Sequence, residues 1–303
     1  MKKRAALLAV AVCILLTGLA GCRSDRTQTK ETEESAEPSS AVSVQTASDG
    51  DVKMDYIVFG SGEKNFVILP GLSVHSVMGS ADAIAESYKD FTEQYTVYVF
   101  DRAADIQEGY TVRDMAEDTA AVMKALNIED ADVFGASQGG MIALYLAIDH
   151  PELVHKMILG STLAKPNDTA SQVIGEWIRL AEEKNESELL ESIVDHIYSE
   201  ATLETYRETL ITSNQGISDE EYRRFAILAE ACESFDCYDE LSAIQCPVLV
   251  IGSEGDRVVT AEGSRQIAEA IGCELYLYDD SYGHGVYDEA PDYRQRCLDF
   301  LAE

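Results

Sequence analysis

Val133-Phe134-Gly135-Ala136-Ser137-Gln138-Gly139-Gly140-Met141-Ile142-Ala143-Leu144 is the stretch that decides how this 303-residue chain folds. Ala131 to Phe134 is a short, mostly apolar run and reads as a buried strand, while Met141 to Ile148 reads as an apolar helix. Between them, Gly135-x-Ser137-x-Gly139 fits a very tight strand-to-helix turn. Small residues two before and two after the serine let strand and helix approach, and the serine backbone is strained. Such a turn lifts the hydroxyl clear of the sheet. It also sets the Gln138 amide at a helix N-terminus, where it can donate to an oxyanion. The spacing alone arises by chance; the flanking strand and helix and the third glycine, Gly140, give it weight.

On these residues the chain resembles the α/β-hydrolase superfamily, over roughly Val52 to Leu301. The resemblance implies an α/β fold with a mostly parallel central sheet, helices on both faces and a helical lid insertion. It also implies a serine nucleophile served by an acid and a base on later loops.

Those loops are present. Asn65 to Leu69 is a fully apolar run, hence a central strand, and Pro70-Gly71-Leu72-Ser73 follows it. Similar proteins usually read His-Gly here, and Pro70 replaces that histidine. By position, the Leu72 N–H supplies the second oxyanion amide beside that of Gln138. His75, in the same loop, reads as a satisfied loop residue. Tyr95 to Phe100 is the next strand, ending in Asp101-Arg102, read as partners that brace the loop. Val248 to Ile251 is a buried strand, and Asp256 lies on the loop after it. Glu274 to Tyr278 precedes Asp279-Asp280-Ser281-Tyr282-Gly283-His284-Gly285. The resemblance assigns Ser137 as nucleophile, Asp256 as acid and His284 as base, in the family's order. Glu254 is the rival acid; Asp279 and Asp280 are weaker rivals, too near the base in sequence to face it.

Leu163 to about Cys237 breaks the strand–helix alternation with acidic, helical sequence where the family carries its lid. Trp177 and the apolar stripes there are expected mainly to hold the lid helices together. His150, His155 and His196 carry no chemistry in this reading.

The N-terminus reads differently. Met1-Lys2-Lys3-Arg4 is basic, Ala5 to Leu16 is apolar, and Thr17 to Cys22 closes the run, the pattern of a secretory signal. Leu19-Ala20-Gly21-Cys22 resembles a bacterial lipobox, which implies cleavage before Cys22 and acylation of it. The protein would then be anchored to a membrane of the cell envelope, outside the cytoplasm. Arg23 to Asp51 is rich in Ser, Thr and Glu and cannot bury enough surface to offset ordering, so it is expected to be a flexible tether. The expected organisation is a leader over 1–21, a tether over 22–51 and a hydrolase domain over 52–303, with its lid at about 163–237.

The formal charge is −32, and −35 once Lys2, Lys3 and Arg4 leave with the leader. Such a surface repels phosphate backbones, which excludes nucleic acid as a partner. Of seven cysteines, Cys232, Cys237, Cys246, Cys273 and Cys297 fall in the domain, with no zinc spacing. Cys232 and Cys237 are a bridge candidate if the chain turns at Ser234; buried free thiols are expected for most of the five.

The expected activity is cleavage of a small ester or related acyl compound through an acyl-enzyme, with no cofactor or metal. Carbon–carbon bond hydrolysis, lactone opening, perhydrolysis and aminopeptidase action use the same triad and remain open. A non-catalytic surface binding module on the same fold would be marked by loss of a triad residue, and none is lost.

Overall fold

The computed structural model describes residues 42–303, so the leader, Cys22 and the tether up to residue 41 lie outside the described residues. The strands are β1 (Val44–Asp49), β2 (Val52–Gly60), β3 (Lys64–Leu69), β4 (Tyr95–Ala103), β5 (Ala131–Ala136), β6 (Val154–Gly160), β7 (Val248–Ser253) and β8 (Glu274–Tyr278). They form one sheet in the order β1-β2-β4-β3-β5-β6-β7-β8. β2 is antiparallel to both β1 and β4; every other pair is parallel. All residues of β5 and β7 are buried, as strands covered on both faces must be.

The covering helices are α1 (Ala81–Ser87), α2 (Val112–Ala125), α3 (Gln138–Asp149), four lid helices α4 (Asp168–Glu182), α5 (Glu186–Ile197), α6 (Glu200–Thr212) and α7 (Asp219–Glu233), then α8 (Thr260–Ile271), α9 (Val286–Glu289) and α10 (Tyr293–Ala302). Two cores result. One holds Met115 and Met123 of α2, Ile142 of α3, Ile267 of α8 and the lid's buried stripe. The other, on the opposite face, holds Phe66, Phe91 and Phe134 with Tyr293 and Phe300 of α10. Each lid helix starts on a side-chain cap: Asn167, Asn185, Ser199 and Ser218 accept from the amide three residues on.

The structure settles two expectations. The ordered chain begins before Val52: Val44–Asp49, expected as tether, pairs with β2 in register from Val44 opposite Ile57 to Asp49 opposite Val52. Gly50, at a φ of 56°, makes the two-residue turn possible. Only Ala47 of β1 is buried, so the strand is held by backbone pairing, which composition does not report. It also displaces β2 from the edge of the sheet. Second, the bridge weighed for Cys232 and Cys237 does not form; all five domain cysteines are free thiols, the state expected for most of them, with Cys246 and Cys273 only partly buried. At the C-terminus, Pro291 separates α9 from α10.

Candidate active site

Ser137 stands between β5 and α3 with a φ of 52° and a ψ of −119°, a conformation costly for a residue with a side chain. The turn is possible because of its neighbours. A Cβ on Gly139 would lie 1.8 Å from the Leu69 carbonyl oxygen, and one on Gly135 would lie 2.4 Å from that of Gly139. The strain is held from outside: the Ser137 N–H donates to the Gly160 carbonyl at 2.8 Å, and Thr162 Oγ1 donates to the Ser137 carbonyl at 2.7 Å.

The loop after β3 is braced by Arg102. Its Nη2 donates to the Pro70 carbonyl at 2.5 Å and its Nε to Gln138 Oε1 at 3.2 Å. The Gln138 side chain also donates to the Leu228 carbonyl of α7 at 2.7 Å. Arg102 thus ties Pro70 to Gln138, whereas the sequence reading has it brace its own loop with Asp101, which instead accepts from Ser76 Oγ. The backbone amides of Leu72 and Gln138 find no acceptor among the described residues. Two idle donors stand beside the serine; a Cβ on Gly71 would be 3.9 Å from its Oγ.

Asp256 and His284 meet. The His284 Nδ1–H donates to Asp256 Oδ2 at 2.9 Å, with both side chains almost fully buried. Asp256 Oδ1 accepts from the amides of Val258 at 2.8 Å and Val259 at 3.0 Å. Burial alone would raise this carboxyl, but the neighbouring imidazole and the two amides hold it below the usual range. The rival acids are engaged elsewhere. Glu254 pairs with Arg265 of α8, and Asp279 binds the amide and hydroxyl of Ser281 on the surface. Asp280 is exposed.

Ser137 Oγ itself makes no hydrogen bond among the described residues. Asp256 and His284 are therefore in contact, and no hydrogen bond joins His284 to Ser137 among the described residues. All of these residues follow the C-terminal ends of parallel strands, where open α/β sheets bind ligands.

Above this rim lies a cavity of about 230 Å³, lined by Gly71, Leu72 and Ala136 beside the elbow and by Trp177, Leu190 and Val194 of the lid. Trp177 lines the cavity and also joins lid helices as expected, since its Nε1–H donates to Ser192 of α5 at 3.1 Å. The other histidines are occupied: His75 faces Glu221 Oε1 and the Asn214 carbonyl, His150 Glu117, His155 Asp132, and His196 the Ser192 carbonyl.

A residue the sequence did not single out is Glu289. Its carboxylate accepts from the Gly283 amide at 2.8 Å and from the Ser199 amide, between α5 and α6, at 2.9 Å. It ties the loop carrying His284 to the lid. Its place at the end of α9, two residues before Pro291, was no signal of that.

A family model for the alpha/beta hydrolase fold matches residues 64–291, well over half of the chain. The chain belongs to the α/β-hydrolase family. Among curated members, it is 26% identical over 241 residues to a protein named "Putative carbamate hydrolase RutD" from Pseudomonas savastanoi pv. phaseolicola, covering 74% of this chain and 90% of that one. It is 24% identical to 3-oxoadipate enol-lactonase 2 of Acinetobacter baylyi, over 73% of this chain and 82% of that hydrolase. Among solved structures, MGS-M2, an alpha/beta hydrolase enzyme from a deep-sea metagenome library, superimposes with a TM-score of 0.76 at 22% identity, covering 86% of this chain and 98% of that one. That last likeness is one of architecture.

Proposed function

We propose that this α/β hydrolase is a serine hydrolase that cleaves a small ester or lactone-like acyl substrate through an acyl-enzyme on Ser137. The observation that carries the reading is the buried His284–Asp256 pair on the same rim as a strained elbow serine. The Ser137 hydroxyl adds to the carbonyl carbon as its proton passes to His284 Nε2, the ring nitrogen that Asp256 leaves free. Asp256 holds the tautomer and stabilises the imidazolium. The tetrahedral oxygen, now negative, takes hydrogen bonds from the Leu72 and Gln138 amides, each worth about 3 kcal/mol in such sites. His284 then protonates the leaving oxygen, and water reverses the sequence to free the acid.

Two named relatives, one called a carbamate hydrolase and one an enol-lactonase, favour a reacting carbonyl bonded to a heteroatom over carbon–carbon cleavage. Ser137→Ala should abolish turnover of p-nitrophenyl butyrate and labelling by a fluorophosphonate, with an unchanged melting temperature. Persistent turnover would remove Ser137 from the mechanism.

The leader motif supports a second proposal: Cys22 carries the lipid that holds the enzyme at the cell envelope. Cys22→Ala should move the protein from the membrane to the soluble fraction; retention would point to an uncleaved anchor.

A further inference from the structure

A second cavity, of about 110 Å³, shares the loop after β3 with the larger one: Pro70, Gly71 and Ser73 line both. Most of the polar side chains on its walls are already occupied. Asp101 accepts from the Arg102 amide at 2.7 Å and from Ser76 Oγ at 2.5 Å. Glu221 accepts from the Ser218 amide and hydroxyl and faces His75 Nδ1, while His75 Nε2 faces the Asn214 carbonyl. Ser73 Oγ donates to the His75 carbonyl at 2.6 Å, and Gln138 spends both ends of its amide on Arg102 and α7.

The two guanidinium groups on these walls differ. Arg102 is 7% accessible, and burial pulls it below its ordinary value. Its Nε and Nη2 are used, on Gln138 and the Pro70 carbonyl, and its Nη1 has no partner among the described residues. Arg224 of α7 spends Nη1 on the Ala103 and Ala104 carbonyls and Nη2 on the Arg102 carbonyl; its Nε has no partner among the described residues. Neither arginine makes an ion pair among those residues, in a chain of formal charge −32. Asp101 and Glu221 line the same cavity, but their oxygens are committed to the donors above.

A buried cation answered only by neutral acceptors is costly. The donors left over are all N–H groups of guanidinium ions, and the ligand that suits them is an oxyanion. Charge and size narrow the choice. The Asp101 and Glu221 carboxylates stand close enough to disfavour a second negative charge on the ligand. A cavity of about 150 Å³ holds benzene, so this one holds about four non-hydrogen atoms. Acetate, hydrogencarbonate and nitrate are of that size, planar and singly charged. Sulfate is larger, tetrahedral and doubly charged.

We propose that this cavity is a binding site for a small planar monoanion, a short carboxylate or hydrogencarbonate, held by donors of Arg102 and Arg224. The site needs no turnover at Ser137, so its test stands apart from the proposed mechanism.

The test uses the full-length protein at fixed ionic strength, with acetate and hydrogencarbonate titrated separately and binding followed by calorimetry, so that the two sources of this chemistry are told apart by their Kd. At least one should bind saturably and be displaced by nitrate, with sulfate about ten-fold or more weaker as a competitor. Arg224 lines this cavity and not the larger one, so Arg224→Gln locates the ion. It should weaken binding by about ten-fold or more, the worth of a hydrogen bond to a charged group. Arg224→Lys, which keeps the charge and loses Nε, should weaken it too. Saturable binding of neither ion to the wild type would overturn the proposal, and that measurement needs no variant to fold. Sulfate competing as well as nitrate, or undiminished binding by a folded Arg224 variant, would overturn it as well.

Discussion

Replacing Asp256 by asparagine alters one atom of the proposed triad while leaving its shape. The asparagine oxygen can still accept from the Val258 and Val259 amides, so the loop after β7 should keep its form. The change falls on the other side. An amide –NH2 would face His284 Nδ1 where a carboxylate oxygen now accepts at 2.9 Å. Two donors cannot face each other, so the ring must move its proton to Nε2. That nitrogen then cannot take the Ser137 proton. Holding the wrong tautomer costs about 10⁴ in kcat in serine hydrolases of this kind. At about 1.36 kcal/mol per decade, that is about 5 kcal/mol of transition-state stabilisation. KM should change little, because Asp256 does not line the cavity. The assay is kcat and KM on p-nitrophenyl butyrate, with Glu254→Gln as the control, since Glu254 pairs with Arg265 at the surface. The control should stay within about two-fold, as exposed pairs contribute little. A loss under ten-fold in Asp256→Asn, or an equal loss in the control, would refute the assignment of the acid.

Gly139→Ala should be severe, because its methyl meets the Leu69 carbonyl, a backbone atom that cannot rotate away; overpacking costs about 1–3 kcal/mol and more where backbone must shift. A wild-type urea midpoint would contradict this. Glu289→Gln removes one of two acceptors from the Gly283 and Ser199 amides, and should cost about 1–3 kcal/mol of stability together with a fall in kcat; an unaltered kcat would show that His284 needs no such anchor. Asp288 predicts a pH effect. Its carboxyl sits near 6 in the fold against about 3.9 unfolded. The fold therefore binds this proton more tightly, and the resulting stability is present below about pH 4 and lost as pH rises through 6. Asp288→Asn should gain on the wild type between pH 4.5 and 7.5, by on the order of 3 kcal/mol, read as the difference in unfolding free energy; a pH-independent difference would refute it.

The sheet was legible because β3, β5 and β7 are covered on both faces and so read as apolar runs bounded by loops. β1 was not, because one buried residue in six leaves no periodicity to read. The site divides along the same line. Ser137 was legible from glycines that close contacts demand, and His284 and Asp256 from their places after strands. The sequence reading prefers Asp256 to Glu254, and the structure gives the physical contrast: two residues apart on one loop, Asp256 meets His284 and Glu254 pairs with Arg265. Asp288 and Glu289 are a starker case. They are adjacent acids in a single turn of helix; one lines the cavity beside Arg294 and the other accepts two amides. Sequence spacing cannot separate neighbours whose difference lies in what packs against them.

That packing bears on how the lid and the chemistry are related. The segment from Ile197 to Ser199 joins α5 to α6, and it meets both later loops of the site. The Ile197 carbonyl accepts from the Gly285 amide at 2.8 Å, beside the base. The Tyr198 carbonyl accepts from Arg257 Nη2 at 2.5 Å, beside the acid. The Ser199 amide reaches the Gly283 loop through Glu289. A Cβ on Gly283 would lie 2.5 Å from the Ile197 carbonyl oxygen, so that glycine is set by the lid's approach and not by the chemistry. Ile197 and Tyr198 also line the cavity over the rim. One short lid segment therefore touches that cavity and holds the loops of His284 and Asp256. On the proposed mechanism, an acyl group that displaces Ile197 also strains the loop bearing His284, whereas one that fits leaves the proposed base in place. Substrate choice and alignment of the proposed proton acceptor would then rest on the same three residues.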